Sequence, residues 1–155
     1  MQINDSTQLS VPDIMKYHRN RYPWFFVDAV SLENGTDHVS GKKCFSYNEF
    51  SYIIFLHSSD TSVPNFIIGE ALEQTFLMTF MKNNPGLLTN TVSSECFYKK
   101  SVNIGDVLEI KAELLSFRRG IAKGKAFGFV GNEQVCEAAF VITVPEIMNN
   151  FTPKN

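Results

Sequence analysis

Between Pro64 and Lys82 the chain reads PNFIIGEALEQTFLMTFMK. Wound at 100° per residue, its apolar residues cover nearly the whole circumference. Phe66, Leu77 and Met81 cluster on one side, and Leu72, Phe76 and Phe80 lie on the other. A helix that is apolar all round is buried, so the rest of the chain has to be arranged around it. A Pro-Asn pair opens the segment, and Asn83-Asn84-Pro85-Gly86 stops it. Glu70, Glu73 and Gln74 stand inside it. A buried carboxylate is costly unless it is paired, neutralised or used. On the projection Glu70 falls between Leu77 and Met81, and Glu73 between Phe66 and Phe80, so the projection does not choose between them. Gln74 is one turn beyond Glu70 and within reach of a hydrogen bond. His57 stands in a short polar loop, HSSDTS over 57–62, just ahead of the helix. One acid on a buried helix and one histidine before it make a general acid/base pair in outline.

The remaining segments supply what could surround such a helix. Val11–Tyr17 reads as a short helix with Pro12 in its first turn. Trp24–Val30 is a compact apolar run and reads as a strand. Asn34-Gly35 signals a hairpin that returns as a strand over Val39–Phe45. Asn48–Leu56 is open between a helical turn and an extended piece. After the helix the pattern changes to period two, with strands expected over Val92–Lys99, Val107–Phe117, Ile121–Val130 and Gln134–Val144. In the second of these, Leu108, Ile110, Ala112 and Leu114 share a face opposite Glu109, Lys111 and Glu113. Arg118-Arg119-Gly120 and Gly131-Asn132-Glu133 form the turns. Gly124 and Gly128 lie inside a strand, where glycine marks a bend or a close backbone approach. The expected class is α+β, with a long antiparallel sheet wrapped around one buried helix.

At 155 residues the chain has length for one core. The expected layout is a flexible N-terminus over 1–10, one domain over 11–147 and a tail over 148–155. A net charge of −2 gives no case for nucleic acid. The longest apolar runs, such as 52–56, are far too short to span a bilayer. The first ten residues lack the pattern of a secretory signal. Cys44, Cys96 and Cys136 fit neither a zinc site nor a disulfide framework, so reduced thiols in a cytoplasmic protein are expected. His18 and His38 are expected at the surface, and the fourteen phenylalanines mostly in the core.

Several short motifs occur in the order of a known family. Arg21-Tyr22-Pro23 followed by Val27-Asp28 resembles His-Arg-Tyr-Pro-x-x-x-Val-Asp, with Asn20 in place of the histidine. Asn48-Glu49 matches an Asn-Glu pair. Pro64 followed by Glu70-Ala71-Leu72-Glu73-Gln74 resembles Pro-Gly-(x)4-Glu-Ala-Leu-Ala-Gln, with Asn65 for the glycine and Glu73 for the second alanine. Ser101–Asp106 resembles Pro-Val-x-Pro-Gly-Asp, and Glu137-Ala138 resembles the Ala-Glu-Ala of a last strand. Together, from about residue 13 to 145, they resemble the 3-hydroxyacyl-ACP dehydratases of the FabZ/FabA type, which have the hot-dog fold. His57 corresponds to the histidine of that family's Gly-His-Phe-Pro loop. Leu56 replaces the glycine, one residue is missing before Pro64, and two are added after Asn48.

The resemblance implies a dehydratase acting on a 3-hydroxyacyl thioester in fatty-acid or polyketide-type synthesis. His57 would take the C2 proton, and Glu70, kept protonated by apolar neighbours, would protonate the departing C3 hydroxyl. Gln74 would orient Glu70. Asn65 would support the site at the head of the helix, whose free N–H groups favour enolate charge. The family implies a homodimer or a higher oligomer of dimers, with histidine and acid from different subunits. It implies no cofactor and no metal. The acyl group would arrive on an acyl carrier protein or coenzyme A, and Arg118, Arg119, Lys123 and Lys125 could receive an acidic carrier protein. Two other readings stay open: a hot-dog thioesterase whose helix carboxylate activates water, and a non-catalytic hot-dog subunit that binds acyl chains or partners an active homologue.

Overall fold

A computed structural model describes residues 6–49 and 61–151. The expected buried helix is present as α2, Asn65–Met81. Before it come β1 (Ser6–Ser10), a one-turn helix α1 (Val11–Ile14), β2 (Ala29–Glu33) and β3 (His38–Cys44). After it come β4 (Asn90–Tyr98), β5 (Val107–Arg118), β6 (Ile121–Val130) and β7 (Glu133–Thr143), then a helical turn, α3 (Pro145–Met148), and a 3₁₀ turn over 149–151. The strands form one sheet in the order β1-β2-β3-β5-β6-β7-β4, with every neighbouring pair antiparallel. This is the hot-dog arrangement of the expected α+β class.

The sheet face that covers α2 follows from alternation. Leu108, Ile110 and Ala112 of β5 are buried, and Glu109 and Lys111 between them are exposed. On β6, Ala122, Ala126 and two glycines take the inner face. Small residues there let the helix approach. A Cβ on Gly41 would lie 2.4 Å from Thr75 Oγ1, and one on Gly124 would lie 2.3 Å from the Phe76 ring. Phe76 stacks on Phe140 (centroids 5.3 Å apart) and Phe80 on Phe117 (5.4 Å). Thirteen of the seventeen α2 residues are buried, which leaves only Asn65, Phe66, Glu70 and Glu73 open. Phe66, Glu70 and Glu73 follow one another at i, i+4 and i+7, so the opening is a single stripe.

Two segments differ from the sequence expectation. Residues 6–10, expected to be loose, form β1 against β2, with Ser10 opposite Ala29 and Ser6 opposite Glu33. Trp24–Asp28, expected as the start of a strand, runs beside α2 instead. The Phe26 N–H donates to Gln74 Oε1 (2.8 Å), and Gln74 Nε2 donates to the Trp24 carbonyl (3.3 Å). The Phe26 N–H and the Trp24 carbonyl are thereby committed to a helix side chain, and the segment rejoins the sheet only at Asp28, whose N–H donates to the Lys42 carbonyl (2.8 Å). The 50–56 part of the ambiguous Asn48–Leu56 segment lies outside the described residues. No helix among the described residues is long and apolar enough to cross a membrane.

Candidate active site

Several of the sequence motifs hold the frame rather than the chemistry. Arg21 turns back on its own segment, donating to the carbonyls of Met15, His18 and Asn20. Asp28 Oδ2 accepts from the Cys44 N–H (2.6 Å). The buried Lys43 ammonium pairs with Glu49 (2.8 Å) and lies 3.5 Å from Asp28. Thus two motif carboxylates meet one lysine and tie Asp28 and Glu49 to β3. The Ser101–Asp106 turn, with Gly105 at φ +96°, receives the chain that enters α2. Val63 N–H donates to the Val102 carbonyl (2.7 Å) and Ile104 N–H to the Thr61 carbonyl (2.8 Å). Asp106 closes this turn by accepting from the Asn103 N–H (2.8 Å).

At the centre is Glu70, half-buried on the open stripe of α2. Its Oε1 accepts from Gln74 Nε2 (2.9 Å) and from Asn20 Nδ2 (3.4 Å). Gln74 is fully buried and its orientation is forced. Its oxygen must face the Phe26 N–H, so its amino group must face Glu70 and Trp24. The sequence-predicted pair Glu70–Gln74 is therefore brought together. Asn20 joins it from fifty residues away.

Glu70 and Glu73 line a common cavity of about 300 Å³ with Arg19, Asn20, Leu77, Leu87, Thr89 and Thr91. Glu73 Oε1 accepts a short hydrogen bond from the Thr91 hydroxyl. Burial pushes the Glu73 carboxyl above the usual carboxylate range; the Thr91 bond opposes this, and the Glu70 charge adds to it. Phe66, grouped with Leu77 on the projection, instead stacks its exposed ring on Trp24 (centroids 6.1 Å apart, planes 6° apart).

Asn65 is the first residue of α2 and is exposed. The Ile67 and Ile68 amides both donate to the Pro64 carbonyl (3.0 and 3.4 Å). The Asn65 N–H makes no hydrogen bond among the described residues. His57 lies outside the described residues, as do residues 58–60 of its loop.

His18, expected at the surface, is buried at 2% exposure. Its ring packs on Phe25 (5.4 Å), and neither ring nitrogen finds a hydrogen-bond partner among the described residues. Burial, with the Arg21 charge adding to it, holds its pKa down at about 4. His38 is exposed, as expected. Of the basic cluster, Arg118, Arg119 and Lys123 surround one open groove with Ser116 and Ile121. Lys125 lies further along β6, beside Phe97, Phe127 and Glu137. Sequence reasoning singled out Asn20 only as a departure from a motif, and nothing in the sequence pointed to Thr91.

No family model matches the chain. Curated relatives do. The 3-hydroxyacyl-[acyl-carrier-protein] dehydratase FabZ of Anoxybacillus flavithermus is 32% identical over 142 residues, covering 89% of this chain and 99% of the relative. The chain belongs to the FabZ family. The FabZ of Chloroflexus aggregans is 33% identical over 142 residues (89% and 97%). That of Bacillus cytotoxicus is 34% identical over 143 residues (89% and 97%). Solved structures share the fold at lower identity. A hypothetical thioesterase from Streptococcus pneumoniae, solved with coenzyme A, has a TM-score of 0.56 at 20% identity, covering 74% of this chain and 84% of that one. An uncharacterized protein from Pyrococcus horikoshii has a TM-score of 0.59 at 14% identity (73% and 79%).

Proposed function

We propose that this FabZ-family chain is a lyase that removes water from a 3-hydroxyacyl thioester, giving the trans-2-enoyl thioester. The observation that carries the reading is Glu70, set at the family's acid position and held by Gln74 and Asn20 on the open stripe of a buried helix. Membership of the family over nearly the full chain supports it.

The chemistry needs one base and one acid. The imidazole of His57 takes the C2 proton, and the electron pair forms the C2–C3 double bond. The C3–O bond breaks, and the proton of Glu70 leaves with the oxygen as water. His57 then carries a proton and Glu70 a charge, and a return transfer resets both. The thioester carbonyl gains charge as the C2 proton leaves. The N–H of Asn65 at the head of α2 is suited to receive it. The 3-hydroxyacyl group is taken as bound to an acyl carrier protein. Exposed Arg118, Arg119, Lys123 and Lys125 give that acidic partner a basic landing face. The site is completed across a homodimer, where the open stripe of α2 meets the partner's His57 loop.

The test is hydration of a trans-2-enoyl thioester, followed by loss of the conjugated absorbance. Glu70→Gln and His57→Ala should each lower turnover by about 10²–10⁴-fold with unchanged melting temperature. Release of free thiol instead of hydration would overturn dehydration in favour of thioester hydrolysis. Full activity in Glu70→Gln would remove the acid assignment.

A further inference from the structure

The cavity beside Glu70 does not suit a plain alkyl chain. Of the eight residues that line it, only Leu77 and Leu87 are apolar. Small-molecule sites are lined predominantly by hydrophobic side chains, and the few polar groups among them fix what is recognised. Here Glu73 stands on α2 three residues beyond Glu70, at the position of the pattern's second alanine. Thr89 and Thr91, around the start of β4, border the same space. The Thr91 hydroxyl donates to Glu73 Oε1 and fixes that carboxyl. Glu73 Oε2 makes no hydrogen bond among the described residues, and neither does the Thr89 hydroxyl.

We infer that Glu73 is a specificity-determining residue that selects acyl chains carrying a hydroxyl a few carbons beyond C3. The inference rests on the dehydratase reading of Glu70 and adds to it the chemistry of the chain. Residues three apart on a helix lie about 5–6 Å apart at Cβ. A chain that enters this cavity with its C3 hydroxyl on Glu70 therefore passes Glu73 a few carbons further on.

Other chain chemistries fit the lining less well. An alkyl chain would displace water from Glu73 and Thr89 and leave both without partners, which is costly. A carboxylate would meet two glutamates. An ammonium would meet Arg19, the one cation among the described residues that line the cavity. Arg19 Nε donates to the Gly86 carbonyl (2.9 Å), and its guanidinium forms no ion pair among the described residues. A hydroxyl donates to Glu73 and accepts from Arg19 or Thr89, so one group suits both kinds of lining residue. The burial that pushes the Glu73 carboxyl up marks a desolvation cost that such a donor offsets. A purely structural role, with Glu73 and Thr91 tying α2 to β4, would leave chain selection untouched.

The experiment measures hydration of three pantetheine thioesters: trans-2-octenoyl and its 6-hydroxy and 7-hydroxy counterparts. Product is counted by mass as the gain of one water, in wild type, Glu73→Ala and Glu73→Gln. Wild type should favour at least one hydroxylated chain by about 10–100-fold in kcat/KM. In Glu73→Ala that ratio should fall to unity or below, with the octenoyl rate kept or raised. Glu73→Gln retains an accepting oxygen and should retain the preference at reduced size. A wild type that does not favour either hydroxylated chain overturns the inference, as does a ratio unchanged in both variants, even where melting temperature falls. If the protein hydrates none of the three, the dehydratase reading fails. The thioesters are then stable ligands, and calorimetric binding decides the inference separately. Tighter binding of a hydroxylated chain, lost in Glu73→Ala, supports it; equal affinities overturn it.

Discussion

Lowering the pH from 7 to 4 should destabilise this protein through one buried residue to which the proposed chemistry assigns no role. His18 is buried against Phe25 with both ring nitrogens unpartnered among the described residues, and its pKa in the fold is held down at about 4 against the ordinary 6.5. The folded-state pKa is depressed, so as pH falls the unfolded chain takes the proton first. The stability conferred by keeping the ring neutral is complete above pH 6.5. Most of it is lost between 6.5 and 4, and the loss levels off below 4. The gap from 6.5 to about 4, at about 1.4 kcal/mol per pH unit, corresponds to roughly 3 kcal/mol. The two titration curves put about 2 kcal/mol of that loss at pH 5 and about 3 kcal/mol at pH 4. Against a typical total of about 5–15 kcal/mol this is a large share. The assay is urea unfolding of wild type, His18→Phe and His18→Leu at pH 7, 6, 5 and 4. The wild-type curve should converge on or fall below the variants toward pH 4, because the variants lack the titrating group. Parallel stability curves for all three proteins would refute the reasoning.

Other outcomes follow from the packing around α2. Gly124→Ala should lower stability by about 1–3 kcal/mol in thermal or urea unfolding, because its Cβ would meet the Phe76 ring and the Glu113 carbonyl at 2.3 and 2.2 Å; wild-type stability would show that the helix has room to retreat. Gln74→Leu should both destabilise the fold by about 1–3 kcal/mol, by orphaning the buried Phe26 N–H, and lower kcat, by releasing Glu70. A loss of kcat with wild-type stability would mean that Phe26 finds another partner.

The sequence predicts the ends of α2 to within one residue, because apolar periodicity and the Asn-Asn-Pro-Gly stop act on the same local scale. It also predicts β5, β6 and β7 closely, since alternation and glycine turns are local signals. β1 was not legible. In Ser6–Ser10 only Leu9 is buried, and the strand exists because the edge of β2 offers it hydrogen bonds. The run Trp24–Asp28 has the composition of a strand, yet its backbone at Trp24 and Phe26 is held by Gln74, about fifty residues ahead. His18 sits among Lys16, Arg19 and Arg21, which reads as surface; the turn after α1 folds that one ring inward. At the site, the i, i+4 pair Glu70–Gln74 was readable from helical spacing alone. The approach of Asn20 and the clasp of Thr91 on Glu73 were not, because both depend on segments brought close only by the sheet.

The single open stripe of α2 also bounds how this scaffold can change. The other thirteen helix positions are buried, and the three polar residues among them, Gln74, Thr75 and Thr79, each commit their side chains to hydrogen bonds inside the fold. New reactivity on this helix is therefore channelled through Asn65, Phe66, Glu70 and Glu73. Two of those four, Asn65 and Glu73, are where the chain parts from its family's pattern. A designer seeking altered selectivity would therefore begin with these four exposed or half-buried positions and with Leu77, which also borders the cavity.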